Sequence, residues 1–180
     1  VQTVQFQVTI GTRIENEVDD TVHRLEVPNP ASLTFRQINR AKSGAYTITK
    51  TYITDPRRSS VLIRVDLESQ TDAQLHVVVE PSRNDNAALV SMCAVPKLNQ
   101  RQCTFALGFA DTRAHARATA RASLTRGFAA VKLEYETGWE RYVATLPHIT
   151  KHQRQFNMAA MVLKGLEDKT YRGAVIASPS

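Results

Sequence analysis

Hydrophobic and polar residues alternate one by one through much of the first hundred positions, the period of a half-buried strand. Phe6, Val8 and Ile10 alternate with Gln5, Gln7 and Thr9. Leu25 and Val27 mark a second strand, closed by Pro28-Asn29-Pro30, and Leu33 and Phe35 open a third that Lys42-Ser43-Gly44 punctuates. The best hairpin signal follows. Tyr46, Ile48 and Tyr52 share a face with Lys50, and Thr47, Thr49 and Thr51 share the other. Both residue classes suit a pleated surface. Asp55-Pro56 starts a turn, with proline presetting φ. Val61, Ile63, Val65 and Leu67 then alternate with Arg64, Asp66 and Glu68, and Leu75, Val77 and Val79 with Gln74, His76 and Glu80. The pattern predicts antiparallel strands with one wet face. It is weakest over 81–100, where Ser82-Arg83-Asn84-Asp85-Asn86 is loop-like, and a last strand carries Cys103, Phe105, Leu107 and Phe109.

The period then switches. Asp111 or Thr112 can cap a helix through Ala114, Ala118 and Ala122 to Leu124, with Gly127 stopping it and Arg126 in its last turn. A second helix carries Val131, Tyr135, Trp139, Tyr142, Val143 and Leu146 at spacings of three and four, and Pro147 ends it. A third begins at Thr150, whose spacing to Gln153 is that of a capping box, and shows a stripe of Phe156, Ala159, Ala160, Leu163 and Leu166. It ends near Glu167-Asp168-Lys169, with Gly173 in the following turn. Strands followed by helices mean α+β or two separate domains. The second fits better, because the third helix is apolar (Met158, Met161, Val162, Leu163) and little chain after it could form a partner layer.

At 180 residues, with 42% hydrophobic and 22% charged positions, the chain can bury a real core and is not disordered. No apolar run reaches a membrane span. The net charge of +6 raises nucleic acid as a partner. The tightest basic group, Arg113, Arg117, Arg121 and Arg126, reads instead as the solvated face of one helix, so no nucleic acid is expected. The chain opens at Val1 already strand-like and stops soon after Ala174-Val175-Ile176-Ala177. Natural ends are usually polar and slack, so a fragment, or a chain with parts missing, is expected. No signal peptide is visible, and the choice between secreted and cytoplasmic stays open.

Candidate chemistry is sparse. His148 and His152 stand four apart, but the first precedes the helix and no third ligand is obvious, so no metal is expected. Cys93 and Cys103 pair if the segment between them forms a hairpin; a buried free thiol is an equal alternative. Glu167 and Asp168 are adjacent, diverge on a helix, and read as helix-end polar structure. Trp139 and Tyr142 read as core rather than as a sugar platform. There is no phosphate loop, no serine nucleophile elbow and no sign of a cofactor.

Two stretches carry further. One is Ser43-Gly44-Ala45-Tyr46-Thr47-Ile48-Thr49-Lys50-Thr51-Tyr52-Ile53-Thr54-Asp55-Pro56-Arg57. The other runs from Ala106-Leu107-Gly108-Phe109 through Gly138-Trp139-Glu140-Arg141-Tyr142 and Leu163-Lys164-Gly165-Leu166-Glu167-Asp168-Lys169-Thr170 to Gly173-Ala174-Val175-Ile176-Ala177-Ser178-Pro179-Ser180. Together, and in this order, they resemble bacterial glucoamylases and glucodextranases of glycoside hydrolase family 15. The closing Gly-Ala-Val-Ile-Ala-Ser-Pro-Ser is the most specific part.

The resemblance implies an antiparallel β-sandwich of the supersandwich type, here incomplete, followed by helices that begin an (α/α)6 barrel. Residues 1–109 would be sandwich, 110–147 a helical linker, and 148–180 the first helix and loop of the catalytic barrel. It also implies an inverting exo-α-glucosidase acting on an α-glucan or oligosaccharide. Inversion needs two carboxyls about 6.5–9.5 Å apart, leaving room for water. The family's catalytic glutamates follow the Ala-Ser-Pro-Ser motif, so no catalytic residue is expected in this chain, and Glu134, Glu136, Glu140 and Glu167 do not replace them. Ala177, Ser178, Pro179 and Ser180 would approach the glucose pocket wall. Family members carry a longer front and a larger segment where this chain has only Asn84 to Leu98. Missing strands leave sheet edges unpaired. The competing readings are a non-catalytic sandwich module for packing or weak glycan binding and, more remotely, a basic nucleic-acid-binding domain.

Overall fold

The computed structural model describes residues 3–80, 87–93, 100–168, 171 and 173–175. The alternating segments form β1 (Thr3–Ile10), β2 (Arg13–Asn16), β3 (Thr21–Glu26), β4 (Phe35–Ala41), β5 (Tyr46–Thr54), β6 (Ser60–Ser69), β7 (Ala73–Glu80), β8 (Ala87–Cys93) and β9 (Gln100–Phe109). A single helical turn, α1 (Glu17–Asp20), joins β2 to β3. Helices α2 (Arg113–Arg126), α3 (Phe128–Ala144) and α4 (Gln153–Gly165) follow. All strand pairs are antiparallel, in a three-stranded sheet ordered β2-β1-β7 and a six-stranded sheet ordered β3-β4-β5-β6-β9-β8. This is the expected sandwich followed by helices.

Two apolar layers sit on opposite faces of the large sheet. On one face Ile48, Val65, Leu67 and Phe105 meet Phe6 and Val8 of the small sheet, with the Phe6 and Phe105 rings edge to face at 5.7 Å. On the other, Ile53, Leu62 and Ala106 meet Ala120 and Leu124 of α2 and Val131 and Tyr135 of α3. The face expected to be wet is therefore divided. Its Ile53-Leu62-Ala106 end lies under helices, and its Thr49-Asp66-Gln102 end stays polar.

The alternation places Lys50 among apolar residues, and it is indeed buried. Its ammonium pairs with Glu17 of α1, also buried, and lies 5.1 Å from the Phe6 ring centroid. A charge at this depth is tolerable only when paired and hydrogen-bonded. Asn39 also donates through Nδ2 to Glu17, and its Oδ1 lies 2.8 Å from His23 Nδ1, from which it accepts.

Several expectations need correction. The hydropathy pattern does not predict strand β2, because its polarity is inverted: Ile14 is 64% exposed while Glu15 is 5% exposed, accepting from Arg13 and Ser43. The Gly11-Thr12 turn before it, with Gly11 at φ +59°, is the Gly-X signal of a two-residue hairpin. The buried stripe of α2 is Ala116, Ala120, Ser123 and Leu124, while Ala114 and Ala118 face outward. Alanine fits either face, so its spacing fixes no rotation. Thr112 does cap α2, accepting from the His115 N–H at 3.2 Å. Helix α3 stops at Ala144, before Pro147. The Thr150 capping box does not form. Helix α4 starts after His152, which adopts φ +59°, and Gln153 accepts instead from the Ile149 N–H at 2.6 Å.

Cys103 is disulfide-bonded, and the backbone register sets Cys93 directly across the ladder from it. Of the two alternatives for these cysteines, the free thiol falls away.

Helix α2 lies against β9 because Gly108 lacks a side chain. A Cβ there would come within 2.1 Å of the Ala116 carbonyl oxygen and 2.9 Å of the Ala120 nitrogen, both rigid backbone. We expect Gly108→Ala to force α2 off the sheet and lower unfolding stability by about 3 kcal/mol, read by urea denaturation.

Candidate functional site

The turn between β5 and β6 carries the most densely bonded side chain of the sandwich–helix junction. Asp55-Pro56 makes a turn, as the sequence predicts, and its carboxylate points under the helices rather than into water, with Asp55 wholly buried. It accepts from the Arg57 N–H at 2.9 Å, Ser123 Oγ at 2.7 Å, Arg126 Nη1 at 2.9 Å and, more weakly, Arg58 Nη1 at 3.4 Å. Burial alone raises its pKa, but these donors outweigh burial and hold the carboxyl below the usual carboxylate range. Ser60 Oγ lies 2.7 Å from Ser123 Oγ, extending the chain of bonds into β6.

Arg126 is therefore not part of a solvated basic face, unlike Arg113, Arg117 and Arg121, which are exposed. Its other guanidinium nitrogen pairs with Glu134 of α3, which also accepts from Arg57 Nε at 2.8 Å. The hydrogen bonds from Arg57 and Arg126 draw the Glu134 carboxyl below its ordinary pKa. Asp55, Arg126, Glu134 and Arg57 thus form a closed ring tying one turn to two helices, with the Arg57 backbone N–H closing it on Asp55.

Further along α3, Tyr135, Trp139 and Tyr142 share one face at spacings of four and three. Their rings meet edge to face, with centroids 6.2 and 5.9 Å apart. Tyr135 donates to the Leu33 carbonyl of the sandwich at 3.2 Å, and Tyr142 to the Ala160 carbonyl of α4 at 3.3 Å. Burial raises the Tyr135 pKa, which keeps the donor protonated. The row works as a joint between sandwich and α4.

Between this row, the Asp55-Pro56 turn and the end of α4 runs an open groove of about 740 Å³. Gly138, Trp139, Lys164 and Gly165 line it, and Glu134, Glu167 and Asp168 supply carboxylates. The last two belong to a folded loop. Glu167 accepts from the Gly173 N–H at 2.8 Å and pairs with Lys164, and Asp168 accepts from the Tyr171 N–H at 2.8 Å. They are loop-building polar groups, as their adjacency suggests.

The other glutamates of α3 also have structural partners. Glu136 accepts from Thr34 Oγ1 at 2.9 Å and pairs with Lys132, and Glu140 accepts from Asn29 Nδ2 at 2.9 Å. His148 and His152 are exposed, and no group of three potential metal ligands occurs among the described residues. Ala177, Ser178, Pro179 and Ser180 lie outside the described residues.

The model of a known family, glucodextranase domain N, matches residues 1–92 and 82–144. The chain belongs to the glucodextranase N-domain family. A glucoamylase of Clostridium sp. (strain G0005) is 22% identical over 251 residues, covering all of this chain and 36% of that enzyme. A crystal structure of a bacterial glucoamylase complexed with acarbose superposes with a TM-score of 0.80 at 21% identity, covering 97% of this chain and 36% of that one. That likeness establishes the fold. The chain spans little more than a third of either relative. The Clostridium alignment runs over 251 positions against the 180 residues of this chain.

Asp55→Asn leaves Arg126 and Ser123 facing a neutral amide. We expect a loss of about 2–4 kcal/mol at neutral pH, measured by chemical denaturation. Because the folded carboxyl has the lower pKa, its contribution is present above the unfolded value near 4 and disappears as pH falls through the folded one. The gap between wild type and variant should therefore be constant from about pH 6 to 8 and close below about pH 4.

Proposed function

We propose that these residues are the N-terminal portion of a glucoamylase-like glycoside hydrolase, an inverting exo-α-glucosidase that releases glucose from the non-reducing ends of α-glucans. The observation that carries this reading is membership of the glucodextranase N-domain family together with a match to a glucoamylase over the first part of that fold. In the proposed division, 1–109 is the sandwich, 110–147 the helical linker, and 148–180 the start of the barrel. The exposure of α4 supports that last assignment. Only Met161 is buried along it, while Val162 and Leu163 are 45% and 61% exposed.

The catalytic pair in this reading belongs to chain following Ser180. Every glutamate of α3 is held by a cationic or polar partner of the scaffold, and Asp55 sits under the helices. The sandwich and linker orient α4, and Ala177, Ser178, Pro179 and Ser180 approach the wall of the glucose pocket.

Intact mass and peptide mapping of the source protein test the reading, followed by polarimetry or NMR of its digests. The expected result is a mass well above 20.1 kDa and release of β-glucose from maltooligosaccharides or isomaltooligosaccharides. The 180 residues alone should release none. A source protein of this length, or one that yields α-glucose, rejects the proposal and leaves a sandwich module.

A further inference from the structure

We propose that the groove between the polar end of the large sheet and the first turns of α3 binds a single phosphate group, presented by a small phosphate monoester. The groove has a volume of about 460 Å³, within the range of small-molecule clefts. The sheet register sets its floor. Thr51 of β5 stands opposite Arg36 of β4 on one side and opposite Arg64 of β6 on the other. Adjacent strands lie about 4.8 Å apart, so the two arginines flank the threonine from bases about 10 Å apart. Residues paired across antiparallel strands share a face, and all three line the groove. Phe128, Ala129 and Lys132 of α3 form its wall.

The donors here are uncommitted. Arg36 Nη1 lies 3.8 Å from Glu26, beyond hydrogen-bond length, and Arg24 stands closer to that carboxylate at 3.0 Å. Arg64 Nε lies 3.6 Å from Asp66, which already accepts from Gln102. Neither guanidinium makes a hydrogen bond among the described residues. The Phe128 ring centroid lies 5.7 Å from the Arg64 guanidinium carbon, a contact with the face of that group that leaves its N–H edge open. Thr51 is only 9% exposed, yet its hydroxyl has no hydrogen-bond partner among the described residues. A polar group this deep is normally satisfied, so the hydroxyl points to a ligand. The first residues of α3 add to the same field. Gly127 supplies no side-chain cap and the first turn holds no acidic residue, so the positive end of the helix is uncompensated there.

Lys132 is paired with Glu136 and contributes charge rather than a free donor. Arg36, Arg64 and Lys132 against Asp66 and Glu136 leave the groove net positive. A cationic ligand is therefore disfavoured, and a neutral one would leave both guanidiniums unpaired. A carboxylate presents its oxygens in one plane and suits a single arginine fork. Donors that converge from two flanks and from the floor suit a tetrahedral oxyanion, whose oxygens point in several directions. The small positive excess favours one phosphate over a chain of them. Space beyond that phosphate is bounded by Phe128 and the exposed Leu133, and takes the organic group of an ester.

Calorimetry of the source protein at low ionic strength tests the site with phenyl phosphate, inorganic phosphate and benzoate. Phenyl phosphate should bind most tightly, inorganic phosphate more weakly, and benzoate at least about tenfold more weakly than phenyl phosphate. Phenyl phosphate should also raise the melting temperature. Arg36→Gln and Arg64→Gln should each weaken its binding by at least about tenfold, and Thr51→Val, which keeps the branched shape, by about threefold. Both arginine side chains are partly exposed, so these variants should fold, as circular dichroism will check. Absence of heat and of a melting shift with phenyl phosphate up to about 10 mM overturns the proposal. So does benzoate binding as tightly as the ester, or undiminished binding by folded Arg36→Gln and Arg64→Gln. Inorganic phosphate binding more tightly than phenyl phosphate overturns the assignment to an ester.

Discussion

One buried carboxylate fixes how the helices sit on the sandwich. The apolar contact between the large sheet and α2–α3 is extensive but non-directional, and a layer built from Ala106, Ala120 and Leu124 could slide at small cost. Asp55 removes that freedom. A carboxylate taken fully out of water costs several kcal/mol unless its lone pairs are filled, and here they are filled by the turn's own Arg57 N–H and by Ser123 and Arg126 of α2. Any shift of α2 along the sheet would strand the charge. Glu134 passes the constraint to α3 through Arg126 and Arg57, and Tyr142 passes it to α4 through Ala160. The orientation of the last helix is thus set from a turn in the middle of the sandwich.

A second ionic device, Lys50 with Glu17, works within the sandwich in a different way. It joins the middle of the large sheet to the short turn that carries the chain between the two sheets. Asn39 and the Phe6 ring complete its surroundings. Replacing such a pair with apolar residues is often neutral or stabilising in other proteins, so its role is better sought in specificity than in net stability. Lys50 donates to Glu17 in one register of α1, and that register sets how β2 leaves one sheet and β3 enters the other.

What could be read from the sequence follows from which residues carry a signal. Strands β1, β5, β6, β7 and β9 alternate strongly because one face of each meets a core. Strand β2 reverses the rule, with Glu15 inside and Ile14 outside, so hydropathy alone hides it. Helix α2 is legible as a helix but not in rotation, because its contact is made by alanines against Gly108, residues with almost no hydrophobic contrast. The junction is least legible of all. Asp55-Pro56 announces a turn, but nothing local says that Ser123 and Arg126 converge on it from a helix 68 and 71 residues later. The Thr54-Asp55-Pro56-Arg57 run does belong to the motif carrying the family resemblance. A turn kept polar between two apolar strands, followed by arginines, is the signal that could mark it.

If the proposed function holds, the sandwich contributes to chemistry through geometry rather than through reacting groups. On the proposed reading, two carboxylates must stand about 6.5–9.5 Å apart across a scissile bond with a water between one of them and the sugar. Such spacing tolerates little movement of the helices that carry it, since misplacement by about 1 Å costs on the order of a hundredfold in rate. Helix α4 has one buried residue and an apolar flank in solvent, so its own packing does not fix its direction. Its direction comes instead from Tyr142 and, behind it, from the ring of Asp55, Arg126, Glu134 and Arg57. On the proposed division of the chain, a lesion in that ring would therefore act at a distance, loosening the base on which the barrel begins while leaving the reacting groups chemically intact.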